Sequence, residues 1–175
     1  QCIVERFLGG SDAYVAMASS NSAARVVGGD TLHASLHLHG KQKMDMTSLG
    51  NGVTDSAVDK WSLVSCVVID EISMVAPRFL GVVSYRLCVL RERTCGSVPL
   101  MFASPGEMFG RIPLVILAGD FMQLPPFEGK KRVSLMKRPG LRCRGEDAPV
   151  KGQSDADFLA QKGYDMFWNC MTECV

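Results

Sequence analysis

Residues 67–75 read VVIDEISMV and residues 117–126 read LAGDFMQLPP, and these two stretches decide how the rest of the 175-residue chain is read. In the first, an unbroken apolar run from Ser65 to Ile69 ends abruptly in two carboxylates, Asp70 and Glu71. A short run without polar alternation suits a strand covered on both faces, as in a parallel sheet flanked by helices. In the second, the run from Leu114 to Ala118 leads into Asp120, with Gln123 three residues on and Pro125-Pro126 stiffening the exit. Open α/β sheets bind ligands at the carboxyl ends of their strands, so both acidic strand ends fall where such sheets do chemistry. One carboxylate there can hold Mg²⁺ against nucleotide phosphates, its neighbour can orient or deprotonate water, and a neutral amide can sense a terminal phosphate. Either stretch alone is a weak signal, because a strand must end somewhere and Asp or Glu is a common cap. Both together read as nucleotide-hydrolysis machinery.

Working outward, Ala13 to Ser19 (AYVAMAS) is a further buried strand, after which Ser20 and Asn21 can cap a short helix, SAARVV, that stops at Gly28-Gly29. From Gly40 to Asp59 the composition turns polar and Gly-rich, which predicts a surface loop or insertion. From Ser73 the spacing is helical, with Val75, Phe79, Val82, Val83, Leu87 and Leu90 on one side and Arg78, Arg86 and Arg93 elsewhere; Pro77 is tolerable in the first turn. Three strands separated by helices give an open α/β domain with a mainly parallel sheet. Residues 129–144 hold Lys130, Lys131, Arg132, Lys137, Arg138, Arg142 and Arg144 and no acid. Such a run reads as a solvated loop, with phosphate contact as the alternative. DADFLAQKGYDMFWNCM reads as one amphipathic helix with Phe158, Leu159, Phe167 and Trp168 as packing residues. The expected organisation is an α/β unit over 1–127, a basic flexible loop over 128–154, and a helix of the same domain over 155–175.

A formal net charge of +1 says nothing for or against nucleic acid, so such a role must rest on where charge sits. Seven cysteines, an odd number without a C-x-x-C pair, fit a reducing compartment better than a disulfide framework or structural zinc. The N-terminal QCIVERFLGG carries no secretory signal, and no apolar run approaches the roughly 20 residues that span a bilayer, so a soluble intracellular protein without a membrane partner is expected. His33, His37 and His39 form H-x-x-x-H-x-H, but with no carboxylate or thiol near them a metal site is disfavoured and surface roles are expected for His37 and His39.

IDEISM and GDFMQLPP, preceded by SSNSAARVVGGDTLHASL at 19–36, resemble the Pif-one-like family of ATP-dependent DNA helicases, superfamily-one motors related to the RecD helicases. The resemblance covers roughly residues 13–127, and more weakly the stretch around Trp168. It implies part of a RecA-like P-loop NTPase domain working with ATP and Mg²⁺ on single-stranded DNA or DNA junctions, 5′-to-3′, in repair, recombination and telomere maintenance, in the nucleus or the mitochondrion. By the same resemblance Asp70 is the Mg²⁺ position, Glu71 the catalytic base and Gln123 the γ-phosphate sensor supported by Asp120, while Ser20, Asn21, Thr31 and His33 fall in the single-strand contact motif. The chain departs from the family in several places. No G-x-x-x-x-G-K-[ST] loop occurs in it, Ser20-Asn21 stands where Thr-Gly is usual, EMFGRIP replaces a Phe-Gly-Gly, and CGSVPLMFASPGE looks inserted. In the family the strand feeding the phosphate loop lies beside the strand ending in Asp70-Glu71. The expectation is therefore that VVI and LVIL lack a neighbour or face an open edge, that the chain alone is marginally stable or self-associates, and that it hydrolyses ATP very poorly. The alternative is a non-catalytic helicase remnant or a nucleic-acid- or protein-binding module.

Overall fold

Four parallel strands, in the order β2-β1-β3-β4, form the sheet of the computed structural model, which describes residues 10–38, 46–92, 105–123, 125–128, 131–136 and 154–169. β1 is Tyr14–Ala18, β2 Asp30–Thr31, β3 Cys66–Asp70 and β4 Leu114–Leu117. The three expected strands are all present, and β2 is a fourth too short to announce itself. In the register Tyr14 lies beside Cys66 and Ala18 beside Asp70, while Cys66 lies beside Leu114 and Ile69 beside Leu117. β3 is one of two inner strands, and Cys66, Val67 and Ile69 are buried on it, as an unbroken apolar run requires.

β1 leads into α1 (Asn21–Val26), which is capped by Ser20 Oγ accepting from the Ala23 amide at 3.3 Å. The return to β2 brings Gly29 so close to β1 that a Cβ there would overlap the Ala16 carbonyl. Thr31 then caps the single turn α2 (Leu32–Ser35), its Oγ1 accepting from the Ala34 amide at 3.2 Å.

The stretch from Gly40 to Asp59 is not simply a loop. Residues 39–45 lie outside the described residues, but α3 (Met46–Gly50) and α4 (Asp55–Leu63) follow, with Leu49, Ala57, Val58 and Trp61 buried. Thr54 caps α4 by accepting from the Ala57 amide at 3.3 Å. Gly50 ends α3, and Asn51 and Gly52 fall between these two short helices.

α5 (Pro77–Leu90) begins with Pro77 in its first turn, and is buried along most of its length on every side. Arg86, expected off the apolar face, is fully buried and its guanidinium donates to the carbonyls of Leu36, Leu49, Asn51 and Gly52. Burial holds its pKa below the usual guanidinium value. Arg91, also buried, donates to the carbonyls of Trp61, Val64 and Gly110. Both arginines tie the ends of α3 and α4 and the chain near them to α5 by donating to buried carbonyls.

α6 (Asp155–Asn169) is the expected C-terminal helix and packs along α5, burying Phe158, Leu159 and Met166. The start of the basic stretch forms part of a two-stranded antiparallel ribbon, β5 (Phe127–Glu128) with β6 (Lys131–Arg132), and Leu135 just beyond is fully buried. Residues 137–153, with Lys137, Arg138, Arg142 and Arg144, lie outside the described residues.

β3 has β1 on one side and β4 on the other, so the VVI run lacks no neighbour and no place beside it is open to a further strand. The expected open edge belongs to β4. Among the described residues its outer side carries no strand, and Leu114 and Ile116 are each 43% exposed.

Candidate functional site

The strand ends at the carboxyl edge are fastened to one another by backbone. After Asp70 the chain turns at Glu71, which is in the left-handed region (φ 56°, ψ 42°), and enters a single 3₁₀ turn, Ile72–Met74. A residue with a Cβ pays about 1–2 kcal/mol to sit there. The Ala118 amide donates to the Ile69 carbonyl at 2.9 Å, and the Ile72 amide donates to the Ala118 carbonyl at 2.8 Å. Gly119 follows, and a Cβ on it would come within 2.9 Å of the Ile72 amide nitrogen and 3.0 Å of that of Ser73. A glycine at this point lets the end of β4 lie directly against the turn that carries Glu71. Nothing in the sequence singles out Gly119, because the need for it arises only from this approach.

Asp70 Oδ1 accepts from the Glu71 amide at 2.9 Å. Beyond Gly119, Asp120 Oδ1 accepts from the Met122 amide at 2.8 Å and its carbonyl accepts from the Gln123 amide at 3.2 Å, closing a tight turn that leaves Asp120 and Gln123 exposed. Phe121 anchors this turn by meeting Phe167 of α6 edge-on, with ring centroids 5.4 Å apart. Trp168 is edge-on to Phe167 in turn, and its Nε1 donates to the Leu135 carbonyl at 2.7 Å. Two side-chain oxygens at the strand ends, Glu71 Oε2 and Ser73 Oγ, are buried without a hydrogen-bond partner. Each such atom costs about 1–3 kcal/mol. Unpaired polar atoms beside a strained backbone mark a place where the fold gives up stability.

The other candidate residues share this edge. Thr31 lies beside Ala18 and Ala18 beside Asp70, so Thr31 and Asp70 are level in the sheet, about 10 Å apart at two strand spacings. Ser20 and Asn21 are exposed just past the end of β1, with Ser20 Oγ 3.1 Å from Ser22 Oγ. His33 is exposed on α2 and stacks on Phe79 of α5, with centroids 4.6 Å apart and planes 19° from parallel. Partial burial pushes the His33 imidazole below its ordinary pKa. His37 is exposed at φ 52°, and His39 lies outside the described residues. All eight residues picked out in the sequence therefore lie on or just beyond one end of the sheet or on α2 beside it. In the sequence Phe79 is only one member of an apolar helix face, and nothing in its spacing singles it out.

Residues 1–137 match the family described as PIF1-like helicase. The chain belongs to the PIF1-like helicases. It is 30% identical over 131 residues to the ATP-dependent DNA helicase PIF6 of Trypanosoma brucei brucei, covering 74% of this chain and 15% of that protein. It is 30% identical over 138 residues to the ATP-dependent DNA helicase RRM3 of Saccharomyces cerevisiae, covering 73% of this chain and 16% of that one. Among solved structures it is similar to Bacteroides Pif1 bound to single-stranded DNA, with a TM-score of 0.52 and 25% identity over 74% of this chain and 26% of the other. It is similar also to Pif1 helicase from Candida albicans, with a TM-score of 0.50 and 27% identity over 76% of this chain and 27% of the other. The chain thus spans less than a quarter of the length of these two curated relatives. The helix-flanked parallel sheet is that of the RecA-like motor domain in this PIF1-like family. Among the described residues no helix is long and apolar enough to cross a membrane.

Proposed function

We propose that this PIF1-like chain supplies the hydrolytic edge of an ATP-dependent DNA helicase motor, with Asp70 as the Mg²⁺ position, Glu71 as the base that activates water, and Gln123 as the γ-phosphate sensor braced by Asp120. The observation that carries the reading is the fastening of the β3 and β4 ends around Gly119, which sets Glu71 on a strained turn with one carboxylate oxygen buried and unpaired. A buried, unpaired oxygen is what a group awaiting water and a nucleotide would leave in their absence.

The donor set fits Mg²⁺ held in the manner of nucleotide enzymes. Among the described residues no cluster of three or more Asp, Glu, His or Cys side chains could enclose a metal, and Mg²⁺ is commonly held by one or two carboxylates with phosphates and water filling the rest of its shell. When bound, the ion would neutralise phosphate charge. Glu71 would take a proton from water, and the exposed Gln123 amide would donate to a phosphate oxygen. Ser20, Asn21, Thr31 and His33 would hold single-stranded DNA beside the same edge. Thr31 keeps its hydroxyl proton free for a phosphate while its oxygen caps α2. We read residues 1–127 and the helix from 155 as one motor domain, with the basic stretch of 128–154 as a loop on it. Unwinding in the 5′-to-3′ sense, in nuclear or mitochondrial repair, recombination and telomere upkeep, is the role that membership of the family suggests.

Because no G-x-x-x-x-G-K-[ST] loop occurs in these 175 residues, the chain as it stands should turn over ATP negligibly, with or without single-stranded DNA. Fused to the phosphate-loop segment of a relative, it should gain DNA-stimulated hydrolysis. In that fusion Glu71→Gln should reduce turnover by about a hundredfold or more while nucleotide affinity stays within a few-fold. Equal loss of binding and turnover would remove Glu71 from the base role, and robust turnover by the unfused chain would overturn the assignment of the phosphate site.

A further inference from the structure

The PIF1-like motif that includes Thr31 and His33 has a neighbour which no sequence pattern assigns to it. Phe79 leaves α5 two residues after Pro77, whose ring fixes the backbone at the start of that helix. Its side chain is half-buried against the main core, and its ring lies under the His33 imidazole at 4.6 Å and 19° from parallel. His33 is also held from its own side, because the Thr31 cap fixes the single turn of α2. The imidazole is therefore supported on one face by a ring rooted in the core, while the residue as a whole stays exposed. An exposed histidine that only needed to reach a phosphate would gain little from a flat partner. A ring meant to receive another ring gains from being immobilised in advance, because less side-chain entropy is lost on binding.

We propose that Phe79 is a positioning residue that holds the His33 imidazole as a flat stacking face for an unpaired base of single-stranded DNA. The proposal rests on the reading of this edge as a DNA-contact site. Base-on-aromatic stacking is tolerant of sequence, since every base has a flat face, and it suits a motor that must move along any strand. The partial burial that lowers the imidazole pKa favours the uncharged ring, which suits stacking better than pairing with a phosphate. The supporting ring is on α5 and the receiving ring is on α2, so the platform joins the helix after the Asp70-Glu71 turn to the segment that follows β2.

The test uses the chain itself, wild type and as Phe79→Leu, Phe79→Tyr and His33→Leu, with short oligothymidylates carrying one 2-aminopurine, at low salt. The wild type should bind and quench the 2-aminopurine. Phe79→Leu keeps apolar volume against the core and removes the flat face, so affinity should fall by about fivefold or more and most of the quenching should vanish. Phe79→Tyr should restore both. His33→Leu alters only an exposed ring and should match Phe79→Leu, which keeps the proposal testable if the latter folds poorly. The His33 ring protons, shifted upfield by the stack in the free wild type, should move downfield in Phe79→Leu with no DNA present. Wild-type binding and quenching by either Leu variant, or unmoved His33 ring protons, overturns the proposal while leaving the DNA-contact reading intact. Failure of the wild type to bind any oligonucleotide overturns both.

Discussion

Glu71 sets three small free energies against one another. Its left-handed backbone costs about 1–2 kcal/mol for a residue with a Cβ, and its buried unpaired Oε2 costs about 1–3 kcal/mol more. Glycine would remove both costs while losing about 0.5–1 kcal/mol to the greater freedom of the unfolded chain. Relief outweighs the loss, so Glu71→Gly should stabilise the fold by about 1 kcal/mol or more in urea unfolding, even though it deletes the proposed base. A neutral or destabilising result would mean that the carboxylate makes a compensating contact in solution. The same two carboxylates were legible in the sequence because a strand that ends in charge declares its own end. Gly119 and Phe79 were not, because one matters only through its approach to Ile72 and Ser73, and the other only through a ring that lies 46 residues away in the sequence.

Elements were legible to the extent that burial gave them a period. β1, β3 and β4 are unbroken apolar runs and stand within a residue or so of where the sequence places them. The first half of α4 reads as loop in the sequence because the helix is short and the residues before it are polar; the signal that marks it is Thr54 with Asp55 behind it, an N-cap followed by an acid in the first turn. α5 reads in the sequence as a helix with one apolar side, whereas it is buried on every side along most of its length. Arg86 is buried off the expected apolar side because backbone carbonyls, which carry no sequence signature, satisfy its guanidinium. The contact of α5 with α6 was equally hidden. A Cβ on Gly163 would overlap the Pro77 carbonyl and one on Gly81 would overlap the Leu159 carbonyl, so the two helices meet backbone to backbone at paired glycines. Gly163→Ala should therefore destabilise the fold by about 1–3 kcal/mol, as overpacking does, even though alanine is the better helix former by about 1 kcal/mol. An alanine variant with an unchanged or raised urea midpoint would show that the helices are not in such close contact.

For the molecule as a whole, the sheet has two inner strands, β1 and β3, each with partners on both sides, and one hydrophobic strand, β4, with a single partner. β4 is joined to β3 along its length, and among the described residues nothing pairs with its other side. Side chains alternate along it: Val115 and Leu117 pack against the core, while Leu114 and Ile116, each 43% exposed, lie on the opposite face. An unpaired row of amides and carbonyls beside exposed branched side chains is a template for pairing with another chain, and native proteins commonly blunt such edges with lysine. The chain should accordingly self-associate with rising concentration in sedimentation velocity. Ile116→Lys should shift it towards monomer and, as an exposed substitution, should change stability by no more than about 0.5 kcal/mol. Lysine at Val26, which is 85% exposed on α1 away from this edge, should leave the association unchanged. If the wild type stays monomeric at the highest concentration reached, or both lysines act alike, then the edge of β4 is covered in solution and the association argument fails. Self-association abolished only at Ile116 would instead locate the sheet's open hydrogen-bonding side at the strand that leads into Gly119 and Asp120, which couples the completeness of the sheet to the geometry of the candidate site.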